Sequence, residues 1–267
     1  MDAIRKELIR KIQTLGEVYT ILSRATRLPY VICDPESFND QVWIFESKED
    51  LEKAVKPLTD KKNPVAAIKV ENKSYLSFYT TLYTLGVNAV VFYEEDKATE
   101  LELEEIVKKP DFSSLPKEKQ PLFNPQLQLS GIYFMQELRR GGANEEKDNL
   151  PELEEEVAAN VVKSRYLMAV QRPEEGQDQK NVQVPYIKNN QGDIYQPLFT
   201  DAEEFRKFIK EKKLQALLVG FDNLEKVLIP AAKGIIINPQ GFNLIIPKEK
   251  IQGLRQRFGI APQDGQK

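Results

Sequence analysis

The 267-residue chain contains no histidine and a single cysteine, Cys33. Without histidine there is no Ser/His/Asp triad, no Cys/His pair and no His-ligated zinc. One cysteine allows no intramolecular disulfide and no thiolate zinc site, and it fits a reducing compartment. Long apolar runs are missing too: none approaches the ~18 residues needed to cross a bilayer, so no membrane association is expected. Neither sign of charge is in excess. The 38 basic and 41 acidic residues are interspersed and leave a net charge of −3. No positive field is available to hold a polyanion, which argues against nucleic acid as a partner. No Walker A loop and no Gly-x-Gly-x-x-Gly occurs. No metal, cofactor or catalytic residue is therefore expected.

What is present is an ordinary globular mixture. Hydrophobic residues make up 41% and charged residues 30%, which separates the chain from disordered sequences and leaves room for one large or two small domains. The opening Met1-Asp2-Ala3-Ile4-Arg5-Lys6-Glu7-Leu8 reads as charged and helical rather than as a signal peptide, so a cytoplasmic location is expected.

Apolar spacing predicts helix over 2–24, interrupted at Gly16 and resumed from Glu17 with Val18, Ile21 and Leu22. Strands are predicted at Leu28–Ile32 and Gln41–Phe45. A helix opened by Ser47-Lys48-Glu49-Asp50, in capping-box spacing, follows. Val65–Val70 reads as strand, Ser74–Leu85 as an aromatic-rich helix, Val87–Tyr93 as a buried strand, and Leu101–Val107 as a short helix or strand. Proline and lysine mark 108–122 as a linker, and Asn124-Pro125 opens a helix ended by Arg139-Arg140-Gly141-Gly142. Residues 143–148 read as polar and exposed.

The second half repeats the first in outline. A helix at 151–164 precedes a strand at 166–170, and a hairpin turns at Asn189-Asn190-Gln191-Gly192 between strands at 182–187 and 193–199. A helix capped by Asp201-Ala202-Glu203-Glu204, a strand at 214–221, a short helix at 224–229 and a strand opened by Gly234 complete the series. Asn238-Pro239-Gln240-Gly241 is a turn, followed by a returning strand at 242–246 and a helix at 248–254. Two alignments of the copies are open. Leu28–Val31 pairs either with 166–170, which we prefer, or with Val184-Pro185-Tyr186-Ile187. The organisation expected is a module at 1–110, a linker and bridging helix at 111–148, a second module at 149–258 and a disordered tail at 259–267. The fold class is α/β, α+β-like, with two related modules that each set a mixed sheet against helices.

Pro197-Leu198-Phe199-Thr200-Asp201-Ala202-Glu203-Glu204-Phe205, with Gly234-Ile235-Ile236-Ile237-Asn238-Pro239, resembles the N-terminal domain of the SseB family. The resemblance covers about 149–258, and the first half only as a diverged copy, in which Val90-Val91 would stand where the second has Asn238-Pro239. It implies a compact α/β module with no established enzymatic activity.

Phe199, Thr200, Asp201, Asn238, Pro239 and Gly241 are accordingly the candidate partner or ligand surface. Each also has a purely structural reading. Asn238–Gly241 fits tight-turn chemistry, and Phe199-Thr200-Asp201 fits a capped helix start whose acidic first turn repels anions. Tyr75, Phe78, Tyr79, Leu82 and Tyr83 form a stripe at helical spacing that reads as core, or as a contact surface if exposed. Glu152, Glu154, Glu155 and Glu156 read as a solvated face, and Arg139-Arg140 as a helix C-terminal pair. Asp34, Glu36 and Asp40 lack EF-hand spacing. Asp34 beside Cys33 disfavours a thiolate. The function expected is a non-catalytic interaction or scaffold module that binds a protein partner or itself. A metabolite-sensing domain with a ligand between modules is the alternative, and an enzyme working through carboxylates, tyrosine or lysine ranks last.

Overall fold

A computed structural model of the chain describes residues 3–95, 97–142, 147, 149–171, 182–209 and 214–260. By internal contacts it divides into two units. One comprises Met1–Glu118 and Ile132–Leu150, the other Lys119–Gly131 and Pro151–Lys267. The expected tail beyond 260, and the expected exposed loop apart from Lys147, lie outside the described residues. Lys147 itself is buried, with its ammonium donating to the Leu138 carbonyl at 2.9 Å.

In the first unit, α1 (Ala3–Thr14) leads into β1 (Glu17–Ser23), followed by β2 (Leu28–Pro29), β3 (Val31–Cys33) and β4 (Asp40–Phe45). Next come α2 (Lys48–Asp60), β5 (Val65–Glu71), α3 (Tyr75–Thr84), β6 (Ala89–Glu94), β7 (Lys97–Glu102) and α4 (Leu103–Ile106). β1 corrects the helix expected from Glu17. Its apolar spacing suits either structure, but Val, Tyr, Thr and Ile favour an extended chain, and β5 pairs with it along its whole length. The main order is β5-β1-β4-β6-β7, with β4 and β6 parallel and the other neighbours antiparallel. α2 starts where its sequence says: the Ser47 hydroxyl accepts the Asp50 N–H at 3.1 Å.

In the second unit, α6 (Leu150–Lys163) precedes β8 (Arg165–Val170), β9 (Ile187–Lys188), β10 (Ile194–Phe199) and α7 (Ala202–Ile209). β11 (Gln215–Gly220), α8 (Leu224–Val227), β12 (Ala232–Ile237), β13 (Leu244–Pro247) and α9 (Lys248–Arg257) complete it. The order β11-β8-β10-β12-β13 repeats the first sheet strand for strand, again with one parallel pair, β10 and β12. Both units are mixed α/β, each a mixed sheet with helices.

This correspondence decides the alignment of the copies against the one preferred from sequence. β1, not Leu28–Val31, stands where β8 stands. β3 pairs with β4 as β9 pairs with β10, so Leu28–Val31 matches Val184–Ile187. The register also moves the counterpart of Asn238. Ile44 lies opposite Phe92 and Leu198 opposite Ile237, so Asn238-Pro239 answers to Tyr93-Glu94 rather than Val90-Val91.

The helix α5 (Pro125–Leu138) is divided, its residues through Gly131 falling in the second unit and those from Ile132 in the first.

Candidate functional site

The family-like residues converge at the C-terminal ends of the parallel pair β10 and β12, where β10 runs into α7 and β12 into the turn at 238–243. β10 ends at Phe199, whose ring packs with Ala169 and Phe205. Thr200 and Asp201 follow. One oxygen of Asp201, Oδ1, accepts the N–H groups of Glu203 and Glu204, each at 2.9 Å, and so caps α7. The other, Oδ2, accepts the Thr200 hydroxyl and the Gln128 side-chain amide, both at 2.8 Å.

Asn238 closes the ring. Its carbonyl oxygen accepts the Thr200 N–H at 3.0 Å, and its amide donates to Thr200 Oγ1 at 2.8 Å and to Gln128 Oε1 at 3.2 Å. Gln128 also donates to Thr200 Oγ1 at 2.8 Å. Thr200 Oγ1 thus accepts two hydrogen bonds and donates one, and each Asp201 oxygen accepts two. Asn124, one turn before Gln128, holds the carbonyls of Arg165 at 2.9 Å and Thr200 at 2.6 Å. A polar cluster so fully paired withstands burial.

It is fully buried. Phe199, Thr200 and Asn238 are 0% exposed and Asp201 is 2% exposed. Side chains without accessible area cannot be touched by a partner on this fold, which corrects the expectation that Phe199, Thr200, Asp201 and Asn238 form a surface. Gly241 is buried as well, and Pro239 is partly exposed. Asn238 sits at φ 47°, a left-handed conformation that asparagine tolerates better than most side chains. Gly241 is there for close approach: a Cβ would lie 2.8 Å from Glu204 Oε2.

Glu204, beside the cluster, is incompletely paired. Its side chain is 3% exposed; Lys207 bonds Oε1, while Oε2 has no hydrogen-bond partner. Burial pushes its carboxyl above the ordinary carboxylate range against the pull of the Lys207 ammonium, and negative Asp201 and Glu203 add to the rise.

The first unit fills the same place differently. Tyr93, the counterpart of Asn238, stacks on Phe45 at 4.7 Å, and Lys11 bridges Glu46 at 2.7 Å and Glu94 at 2.6 Å. An aromatic stack and a partly exposed ion-pair triad replace the buried amides.

The other sequence candidates fall into structural roles. Tyr75, Tyr79 and Leu82 are buried, and Tyr83 donates to the Val107 carbonyl at 2.8 Å. The Tyr75 and Tyr79 hydroxyls have no hydrogen-bond partner; burial raises both phenols, Tyr75 to about 12. Asp34 Oδ1 accepts the N–H groups of Glu36 and Ser37, whereas Asp40 accepts the Tyr133 hydroxyl at 2.6 Å, so the three acids of that loop do not converge. Among the described residues no group of three or more His, Cys, Asp or Glu could hold a metal ion. The Cys33 thiol is raised first by burial, then by Asp40 and Asp34. Arg140 pairs with Glu137 and Arg139 donates to the Ala25 carbonyl. Glu154 and Glu155 reach Lys250 and Arg257.

Sequence reasoning read Asn124 only as the opening of a helix and missed Gln128; the two complete the cluster from the start of α5. The one signal was the spacing of Asn124 and Gln128, two amides four residues apart across the start of α5.

The architecture is thus of the mixed α/β tandem class, with a buried amide–carboxylate cluster in the second unit. Residues 143–252 match the family model described as SseB protein N-terminal domain, which is the resemblance read from Phe199–Phe205 and Gly234–Pro239. No curated protein matches the chain. Among solved structures, Tic22 from Plasmodium falciparum aligns at 13% identity over 95% of this chain and 99% of that one, with a TM-score of 0.22. Anabaena Tic22 (protein transport) aligns at 11% identity over 83% of this chain and 85% of that one, also with a TM-score of 0.22. Scores of that size bear on neither fold nor role. No helix among the described residues is long and apolar enough to cross a membrane.

Proposed function

We propose that this chain is a non-catalytic protein-interaction or scaffold module, acting in the cytoplasm, in which the family-like segment is an internal clamp that holds the second unit in shape. The observation that carries this reading is the mutual satisfaction of Thr200, Asp201, Asn238 and Gln128. A general acid, base or nucleophile must reach a substrate atom, and side chains committed to one another in the interior do not. The absence of histidine from the whole sequence and the single cysteine support the same reading and the reducing location.

The test is affinity capture of the tagged full chain from native lysate, with cross-links mapped to residues. A protein partner, or a second copy, cross-linked reproducibly to one surface is the expected result. Measurable turnover without any specific cross-link would overturn the reading. So would a melting temperature that rises with the concentration of an amino acid or nucleotide, because only a ligand of the folded state does that.

A further inference from the structure

In the first unit, α1 and β7 run alongside each other in opposite directions. Arg5, early in α1, pairs with Glu105, just past the end of β7. Lys11, late in α1, pairs with Glu94 at 2.6 Å, just before β7 begins. Between helix and strand lies a cleft of about 520 Å³, lined by Ile4, Leu8 and Arg10 on the helix side and by Lys97 and Thr99 of β7. Clefts that hold ligands measure ~300–1,000 Å³, so this one is large enough.

Its strand wall is a sheet edge. β7 pairs along all six residues with β6 and with no other described strand. A groove between an edge strand and a neighbouring helix is a setting in which extended peptides add a strand and lodge alternate side chains in pockets. Strand residues alternate in direction, so Lys97 and Thr99 share the cleft side with buried Leu101, while Glu100 and Glu102 point to the other face. The helix wall is apolar at Ile4, which is 69% exposed, and at Leu8, one turn on. Charge selects further. Lys11 is already held by Glu46 and Glu94. Arg10 and Lys97 line the cleft with no ion pair among the described residues, and the only unspent carboxylate of the lining is Glu7. An anionic occupant therefore gains more there than a cationic one.

We propose that the cleft between α1 and β7 is a docking groove for an extended acidic segment of a partner protein, which adds to β7 as a strand and seats an apolar side chain against Ile4 and Leu8. The proposal rests on the interaction reading above and names the partner's chemistry. Backbone pairing with β7 supplies affinity without regard to sequence. Arg10 and Lys97 choose acidic residues, and the Ile4–Leu8 wall chooses an apolar one between them.

Fluorescence anisotropy of the full chain with labelled acetyl-Glu-Glu-Leu-Leu-Glu-Glu-amide tests the proposal, with the peptide carrying Lys for each Glu as control. Both peptides set leucine between charges on either face of a strand. The acidic peptide should bind roughly tenfold tighter or more, and more weakly as salt rises. Arg10→Glu combined with Lys97→Glu should reverse that preference, and Ile4→Asp should weaken the acidic peptide. All three side chains are exposed, so the melting temperature should stay in place. Bound peptide should slow hydrogen exchange at the amides of β7 and leave those of β5 unchanged. Equal binding of the two peptides, a preference that survives the double substitution, or slowing at β5 instead of β7 would overturn the groove. Binding of neither peptide up to about 1 mM would overturn it too and leave the interaction reading standing. A wild-type dimer that the double substitution dissociates would overturn a foreign segment as the occupant.

Discussion

Asn238→Ala removes both ends of the amide that ties the turn after β12 to the start of α7. The Thr200 N–H loses its acceptor and Gln128 Oε1 loses its donor, both inside the protein. A buried polar group left unpaired costs about 1–3 kcal/mol. Alanine must also hold the left-handed φ of 47° found at Asn238, which costs about 1–2 kcal/mol. Local relaxation returns some of this, so a net loss of about 3–5 kcal/mol is expected, a large share of the ~5–15 kcal/mol that holds a domain together. Urea denaturation of the full chain followed by far-UV circular dichroism reads it. At ~2 kcal/mol per molar urea, the transition of the second unit should move down by roughly 2 M. Trp43, the single tryptophan, lies in the first sheet and reads that unit separately by fluorescence. Asn238→Gly loses the same hydrogen bonds but relieves the backbone, so it should recover about 1 kcal/mol of the loss. An Asn238→Ala protein that unfolds at the wild-type urea concentration would refute the clamp.

Three further outcomes follow from the same contacts. Gly241→Ala drives a Cβ to 2.8 Å from the buried Glu204 carboxylate; it should cost about 1–3 kcal/mol, seen as a lower melting temperature. Glu204 has its folded pKa raised, so the native state binds more protons than the unfolded chain between the unfolded and folded values. Stability should therefore fall as pH rises through that window, and Glu204→Gln, measured by denaturation across pH, should lack that part of the slope. Ser47→Ala removes the cap of α2 and should cost about 1 kcal/mol, read from Trp43 fluorescence in urea.

Much of the fold was written locally, and the exceptions share a cause. The α2 start was legible because a cap is a contact three residues long. β6 and the Ile235–Ile237 end of β12 were legible because buried parallel strands read as continuous apolar runs. β1 was not: Val18, Ile21 and Leu22 suit a helix face and a strand equally, and only its pairing with β5 forty-odd residues on decides. The short strands β2 and β3 misled the alignment of the copies, because similar lengths of apolar chain were compared without their partners. The site divides in the same way. Thr200, Asp201 and Asn238 carry recognisable cap and turn chemistry, and they do meet. That they meet indoors depends on Asn124 and Gln128, some seventy residues earlier at the start of a helix whose pattern shows nothing of their partners. Burial, not residue type, separates a clamp from a surface.

The Thr200 amide tests the central claim most directly, because its hydrogen goes to the Asn238 side chain rather than to another backbone group. Hydrogen exchange at that amide in the full chain should be as slow as in the neighbouring strands β10 and β12, and should speed up in Asn238→Ala. Exchange at the rate of an open turn in the wild-type chain would contradict an internal clamp.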